Sequence, residues 1–447
     1  MLTVLRNSWA LLLGMMLLMV GNGIQGTLLG IRGGIEGFST AQMSYVMAAY
    51  FLGFLFGSRM TPEMIRRVGH VRVFAALGSM ISAVLVAYAA APDWIAWMLM
   101  RAVIGFSFSG VYITAESWLN NSTTNETRGQ ALSLYMIMQM IGIIAAQALL
   151  NLGDPSGYIL FVIPSILVSL AFTPILLSVS PAPPFEATKP LSFIALYRAS
   201  PLGCVGMFLL GGIFAAQFGM SSVWGTAKGL TVREISIFVA ATYAGGLVFQ
   251  YPIGWASDRI GRRPLILWLS VLGAVAMLWA TLFDPGFGGL LVVAVMMGGI
   301  SNPLYSLLVA STNDFLAVED MAAASAGLIF INGLGAITGP VITGWVMDRI
   351  GPEGYFLFMA ILFVALAVYA GWRITQRRVP VADQTGGFTP LSPTASVLAV
   401  EAVVEAAAQD TAEEPAAPAT PAGAEAGAAA VPEMPGDGAG EAPGARG

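Results

Sequence analysis

Apolar runs of about 20 residues recur along the chain as far as residue 374, and they limit the folds that it can adopt. Each run is long enough to cross about 30 Å of hydrocarbon as a helix that rises about 1.5 Å per residue. Only 10% of the 447 residues are charged, whereas soluble chains average about 25%. Because a spanning segment must satisfy its own backbone polar groups, the pattern predicts an all-α integral membrane protein.

Twelve such segments fit the chain, so we predict twelve transmembrane helices. The first run continues to about residue 30 without a small-residue cleavage site, which favours a retained span over a signal peptide. The predicted spans cover residues 9–30, 41–62, 73–92, 94–117, 130–151, 157–179, 201–226, 232–253, 264–283, 287–311, 321–346 and 354–374.

The chain divides into four predicted parts. Residues 180–200 are rich in proline and polar residues, and they predict a cytoplasmic linker between two six-helix bundles, 1–179 and 201–378. Residues 379–447 are dominated by Ala, Pro, Gly, Glu and Thr and cannot bury enough apolar surface to offset their ordering entropy. We therefore predict a disordered cytoplasmic tail, and we favour an inert tail over one that binds a partner.

Basic residues lie mainly in the connections on one side of the predicted membrane. Arg66 and Arg67 follow span 2, Arg262 and Arg263 follow span 8, and Arg377 follows span 12. Since cytoplasmic connections carry an excess of Lys and Arg, both termini are predicted to be cytoplasmic.

The two halves of the chain resemble each other at an offset of 192 or 193 residues. The matching pairs are RRVGH at 66–70 with DRIGR at 258–262, Gly105 with Gly298, and Tyr112 with Tyr305. Several matches at one offset predict two pseudo-symmetric bundles. Secondary transporters use such parallel repeats and hold the substrate near the midplane between them.

Several stretches resemble motifs of the major facilitator superfamily (MFS). They are RAVIG at 101–105, ETRGQA at 126–131, GWASDRIGRR at 254–263 and NGLGAITGPVITG at 332–344. With VYITAESW at 111–118, they resemble the bacterial branch of that family typified by YcaD. The resemblance covers about residues 5–378 and implies the MFS fold. It further implies a secondary active transporter (a permease) that moves a small molecule by alternating access in the bacterial cytoplasmic (inner) membrane.

The resemblance also implies that the loop between spans 8 and 9 belongs to a charge network that acts as a conformational latch. The residues assigned to it are Gly254, Asp258, Arg259, Gly261, Arg262, Arg263 and Glu116. The alternative is that the arginines only anchor the topology at anionic headgroups, where we expect them to lie. The first-half copy has Pro62 in place of the glycine and Arg66 in place of the acid, so it cannot form the same network.

Two further titratable residues lie at the predicted cytoplasmic end of the first half. For Glu116 we favour a structural salt bridge over a proton carrier. His70 follows Arg66 and Arg67 in a charged connection, so we predict a solvated loop residue.

Arg101 is the strongest candidate for a substrate-binding residue, because a charge within a span is costly and usually faces a cavity or a partner. The alternative is that its long stem lets it snorkel to the outer interface. The resemblance places spans 1, 4, 7 and 10 around the cavity. The other candidates are Asn22, Gln25, Tyr112, Gln217, Ser221, Asn302 and Tyr305, followed by Gln139, Gln147, Gln250 and Asn332. For each of them, interhelical hydrogen bonding is the alternative.

The sequence gives no reason to expect an enzyme, a cofactor or a metal site. His70 and Cys204 are the only histidine and cysteine, and no phosphate-binding loop is present. The expected partners are a small-molecule substrate, membrane lipid and a candidate coupling proton, with no nucleic acid, and the expected state is a monomer. Two alternatives remain: proton-coupled efflux of amphipathic drugs, and a non-transporting membrane receptor or scaffold. The first is weakened because no carboxylate falls near the middle of a predicted span.

Overall fold

A computed structural model describes residues 2–121, 123–176, 192–316 and 318–376, and this part of the chain is helical and forms no strand. The predicted tail lies outside the described residues, as does most of the predicted linker. The helices are α1 (Leu2–Ile35), α2 (Thr40–Val68), α3 (His70–Ala90), α4 (Trp94–Asn121), α5 (Asn125–Leu149), α6 (Ile159–Leu176), α7 (Phe193–Ala199), α8 (Pro201–Ala215), α9 (Ser221–Ala227), α10 (Val232–Ile260), α11 (Arg262–Phe283), α12 (Phe287–Asn313), α13 (Val318–Ile350) and α14 (Gly354–Gln376).

The predicted all-α membrane fold is confirmed. Among the described residues, ten helical segments are long and apolar enough to cross a membrane, and one of them joins α8 to α9 through a π-helical turn, Ala216–Met220. Helix α2 is long enough but carries four charged residues near its C-terminal end, and α6 is shorter. Both occupy positions where a span is expected, so twelve spans remain a prediction at these two helices.

Helices α2 and α10 begin and end in the same way, as the repeat predicts. A capping box at Ser39 opens α2, and a capping box at Thr231 opens α10. At their C-terminal ends, Gly69 and Gly261 adopt φ angles of 86° and 89°. Glycine suits both positions because side chains rarely tolerate a positive φ. The matched turns direct α3 and α11 back across the bundle.

A second matched pair brings helices close together inside each half. A Cβ atom at Gly105 of α4 would overlap the carbonyl oxygen of Tyr50 on α2, and one at Gly298 of α12 would overlap the carbonyl oxygen of Thr242 on α10. Glycine at these positions lets the two backbones approach directly, as small residues do in membrane helix pairs. The aligned glycines of the sequence repeat thus make equivalent contacts in space.

The two halves meet through α1 with α9, α2 with α13, and α5 with α10. The first two contacts lie at the ends of the helices that the basic residues predict to face outward. There Gly30 of α1 lies against Ser222 of α9, and Gly344 of α13 lies against Ser44 of α2. These contacts close the space between the two halves on the predicted outer side.

Candidate substrate cavity

A cavity of about 130 Å³ lies between the two halves. Its walls come from α1, α2, α4, α5, α9, α10, α12 and the π-helical turn. Five of the sequence-predicted binding residues line it: Asn22, Arg101, Tyr112, Ser221 and Asn302. Of the second-tier residues, Gln139 and Gln147 also line it. The structure thus gathers residues from both halves that are far apart in sequence.

Arg101 of α4 is turned toward the interior and is only 5% exposed. Its Nη1 donates to Oε1 of Gln25 on α1 at 2.5 Å, and its Nη2 lies 3.6 Å from the sulfur of Met47 on α2. Its guanidinium carbon lies 4.9 Å from the ring centre of Tyr50, a cation–π contact. All three partners are uncharged, so the charge of Arg101 keeps its attraction for a negative group.

Three predicted residues support the cavity without lining it. Gln25 donates to the hydroxyl of Tyr88 at 3.2 Å while it accepts from Arg101. The side chain of Gln217 accepts from Ser301 at 2.8 Å. Tyr305 is 1% exposed and packs against Phe214 at a ring distance of 6.1 Å. The contacts of Gln25 and Gln217 match the interhelical hydrogen bonding that we gave as the alternative, whereas Tyr305 makes a ring contact.

The cavity also has an aromatic wall whose residues were not predicted from the sequence. Tyr50 and Phe51 of α2 form part of it, together with Phe218 of the π-helical turn and Tyr243 of α10. The rings of Phe218 and Tyr243 stack with centres 4.9 Å apart. Tyr50 and Tyr243 are separated by 193 residues, so the repeat offset itself could have identified this pair.

The arginines of the motif at 254–263 do not share one environment. Arg259 is exposed and lies 3.9 Å over the ring of Trp255, as expected for a residue at the membrane surface. Arg262 and Arg263 are 6% and 7% exposed, so their predicted position at the headgroups is wrong. Arg262 forms an ion pair with Asp314 and donates to the carbonyl of Ala310 at 3.1 Å. These contacts fix the start of α11 to the end of α12.

Asp314 lies just after α12 and has a pKa above its ordinary value, because burial penalises the charged carboxylate more than Arg262 stabilises it. Arg263 packs beside this pair, with its guanidinium carbon 4.6 Å over the ring of Phe315. A buried pair of this kind sets geometry more than it adds stability. Arg262 and Arg263, unlike Arg259, therefore position helix ends within the second half.

At the equivalent turn of the first half, partly exposed Glu63 pairs with Arg66 at 3.0 Å and with Arg67 at 2.7 Å. His70, by contrast, is 2% exposed and lies 3.1 Å from the hydroxyl of Ser117. The prediction of a solvated histidine is wrong because α3 begins at His70 and packs this residue against the end of α4. Glu116 is also buried, at 1% exposure.

Two helical halves around a central cavity define the architecture of a secondary transporter. A family model described as Major Facilitator Superfamily matches residues 11–226 and 202–407. The chain belongs to this superfamily, and it is a multi-pass membrane transporter of a small molecule.

Relatives and solved structures agree with this assignment. The uncharacterized MFS-type transporter YcaD of Escherichia fergusonii is 24% identical over 362 residues, which cover 79% of this chain and 92% of the relative. YcaD of Escherichia coli is 25% identical over 368 residues, 80% of this chain and 93% of the relative. The chain therefore falls within the YcaD branch.

Two solved structures share its fold. A mutant of the nucleoside transporter NupG has a TM-score of 0.72 at 16% identity, and the match covers 82% of this chain and 99% of that chain. A bacterial homolog of the human lysosomal transporter Spinster, in an inward-facing conformation, has a TM-score of 0.63 at 15% identity, over 89% and 97% of the two chains. At such low identities, these likenesses concern the fold alone.

Proposed function

We propose that the chain carries a small organic anion through the central cavity by alternating access. We place it as a monomer in a bacterial cytoplasmic membrane with both termini on the cytoplasmic side. The observation that carries the substrate class is the environment of Arg101. A buried cation within a membrane protein is costly unless it meets an opposite charge.

Among the described residues that line the cavity, Arg101 is the charged one, and none is Asp or Glu. Its Nε atom is buried and has no hydrogen-bond partner. Nε2 of Gln139, a second donor on the cavity wall, is also buried without a partner. Two unused donors and an uncompensated positive charge favour an acceptor-rich, negatively charged substrate.

The rest of the wall favours a substrate with a flat or apolar body. Tyr50, Phe51, Phe218 and Tyr243 offer ring faces, and Met136 and Met140 offer flexible thioethers. We therefore expect the anionic group to lie at Arg101 and the apolar part to pack against these side chains.

Proton-coupled efflux of amphipathic drugs is the second candidate, and the burial of Glu116 favours it. This carboxylate lies on α4 five residues before the helix ends, between the cavity and the predicted cytoplasmic side. A proton-coupled transporter needs a group that binds and releases the proton, and Glu116 is our candidate for it. An imposed pH gradient should then drive transport by the wild type but not by Glu116→Gln.

We further propose that the motif at 254–263 is the conformational latch. The residues involved are Gly254, Asp258, Arg259, Gly261, Arg262 and Arg263, with Glu116 in the first half. Arg262 holds the start of α11 to the end of α12, while Gly254 and Asp258 lie on α10, the helix through which the second half contacts α5 of the first.

The test is anion uptake into proteoliposomes by wild type, Arg101→Lys and Arg101→Gln. Arg72→Gln is the matched control, because Arg72 is exposed at the start of α3. Loss of a charge-assisted hydrogen bond should reduce uptake by about 10- to 100-fold in Arg101→Gln. Arg101→Lys should retain part of the activity. Full activity of Arg101→Gln, or preferential transport of cations by the wild type, would overturn the proposed substrate class.

A further inference from the structure

A second and larger cavity, of about 340 Å³, lies between α5 and α10. It extends from Met140 and Gly246, near the middle of the two helices, to Ser133 and Asp258 toward the predicted cytoplasmic side. Cavities that hold organic ligands typically measure about 300–1,000 Å³. The second cavity is therefore large enough for a drug-sized molecule, whereas the central cavity in this conformation is not.

This second cavity reaches the surface of the bundle within the membrane. Tyr251 and Trp255 border it and are 80% and 54% exposed. The middle of α10 falls near residue 246, so these two residues lie roughly 8 Å and 14 Å from it at 1.5 Å per residue. Half of the hydrocarbon thickness is about 15 Å, which places the opening beside the acyl chains and the headgroup boundary.

A polar atom without a partner points to a ligand. Oε1 of Gln250 is buried and has no hydrogen-bond partner, although Nε2 of the same amide donates to Ser306 at 3.2 Å. An unsatisfied carbonyl oxygen in an apolar cavity costs free energy that a ligand N–H or O–H group would recover. Leu247 and Ile137 supply apolar surface around it.

The two cavities share part of their walls. Met136 and Met140 of α5 line both of them. Methionine side chains are unbranched and change rotamer easily, so they can let a ligand pass without a large movement of the helices. A molecule in the second cavity thus lies one layer of side chains away from the cavity that contains Arg101.

We propose that the cavity between α5 and α10 is an access site that admits a single-chain amphiphilic acid from the lipid leaflet on the predicted cytoplasmic side. The ligand donates an N–H or O–H group to Gln250 and then passes Met136 and Met140 to reach Arg101. The acidic group rests on the function proposed above, whereas the position of the site does not.

The probe is N-dodecanoylglycine with a photoreactive diazirine in its acyl chain, added to proteoliposomes that contain the full chain. Its amide supplies the N–H donor, and its carboxylate supplies the acid. We expect mass spectrometry to locate the labels on the facing sides of α5 and α10. N-acetylglycine has the same head without the chain. It should not compete at equal concentration, since the ligand comes from the membrane.

Leu247→Trp should fill the cavity and reduce this labelling by about tenfold, as expected when a ligand loses most of its contacts. Gln250→Leu should reduce it by roughly fivefold through the lost hydrogen bond. Val248→Trp is the matched control, because Val248 is 63% exposed and does not line the cavity. Should Leu247→Trp fail to fold, Gln250→Leu decides the outcome.

Labelling spread evenly over the exposed face of α10, or unchanged in Leu247→Trp and Gln250→Leu, would overturn the access site. Arg101→Gln separates the two proposals. It should reduce transport of N-dodecanoylglycine by about 10- to 100-fold while the labelling between α5 and α10 persists. Undiminished transport by Arg101→Gln contradicts the anion site, and the labelling between α5 and α10 then tests the access site independently.

Discussion

Arg101 on α4 and Gln25 on α1 are joined by a hydrogen bond of 2.5 Å, and Gln25 is the polar anchor of the one described cation in the cavity wall. A carboxylate at this position would cancel the charge of Arg101. The neutral amide instead fixes the guanidinium in place and leaves its charge available. The choice of amide over acid is therefore central to how the cavity would attract an anion.

Two substitutions, Gln25→Glu and Gln25→Leu, should distinguish two effects of Gln25. One is that it holds the Arg101 side chain in place, and the other is that it leaves the charge of Arg101 unpaired. Gln25→Glu places a carboxylate against Arg101, so thermal stability should be kept while the affinity for anions falls by about tenfold or more. Gln25→Leu removes the acceptor of a buried cation and should lower the free energy of unfolding by about 1–3 kcal/mol. Unfolding curves and anion-dependent shifts in melting temperature measure both effects. Equal anion affinity in Gln25→Glu and wild type would show that the charge of Arg101 does not attract the substrate.

The contact between Gly30 and Ser222 closes the predicted outer side, and one methyl group should weaken it. A Cβ atom at Gly30 would overlap the Ser222 side chain and lie 2.8 Å from the backbone nitrogen of Val223, whereas one at Gly26 would meet nothing within 4 Å. Overpacking of this kind costs about 1–3 kcal/mol, which corresponds to a population shift of about 5- to 150-fold. Gly30→Ala should therefore favour an outward-open state, and Gly26→Ala is the matched control.

The readout for Gly30→Ala is the labelling rate of Ser221→Cys by a membrane-impermeant maleimide added from outside. Cys204→Ala supplies the background, since Cys204 is the only natural cysteine. We expect labelling to be about tenfold faster than in Gly26→Ala. Equal rates in the two variants would mean that this contact does not control the closure.

The buried pair of Arg262 and Asp314 should reveal its role in a double-mutant cycle. Removing one partner of a buried ion pair typically costs about 3–5 kcal/mol, whereas replacing both by apolar residues is often neutral. Arg262→Met and Asp314→Leu should therefore each lower the free energy of unfolding, and the double variant should recover most of the loss. The raised pKa of Asp314 agrees with this expectation, because burial already disfavours its charged form. A double variant whose loss equals the sum of the two single losses would argue against a coupled pair.

The sequence repeat accounts for much of what could be predicted. The offset of 192 or 193 residues correctly pairs Gly69 with Gly261 and Gly105 with Gly298, because equivalent turns and helix contacts need the same small residue. The choice of polar residues on spans 1, 4, 7 and 10 as candidates identified five residues that line the central cavity. It did not locate Tyr50 and Tyr243, because an aromatic residue in an apolar span gives no polar signal.

The failures at His70 and Arg262 share a physical cause. Both residues lie in charged connections, where local sequence favours exposure to solvent. His70 is buried against Ser117 near the end of α4, which lies 47 positions further along the chain. Arg262 is buried against Asp314 just after α12, which lies 52 positions further along. Local pattern cannot predict contacts of that kind, because they depend on how helices pack in three dimensions.

A charged cluster on the predicted outer side should stabilise the fold only within a defined range of pH. Nζ of Lys228, just after α9, lies 2.8 Å from a carboxylate oxygen of Asp284 and 2.9 Å from one of Glu353. The hydrogen bond to Asp284 is the main reason that the pKa of Lys228 is raised. The hydrogen bond from Lys228 is the main reason that the pKa of Glu353 is lowered.

The signs follow from which state binds the proton more tightly. The raised pKa of Lys228 adds stability that is complete below its unfolded value and is lost as the pH rises through its folded value. The lowered pKa of Glu353 adds stability that is present above its unfolded value and is lost as the pH falls through its folded value. The cluster should therefore stabilise the chain from about pH 5 to pH 10.

Lys228→Met should lower the free energy of unfolding at pH 7 by at most about 1 kcal/mol, because all three groups are partly exposed. The difference from wild type should shrink below about pH 4 and above about pH 11. Arg233→Met is the control, since Arg233 is exposed in the first turn of α10 and should show no such window. Thermal unfolding across this range measures the effect. A difference that stays constant with pH would show that Lys228 stabilises the chain by packing its stem rather than by its charge.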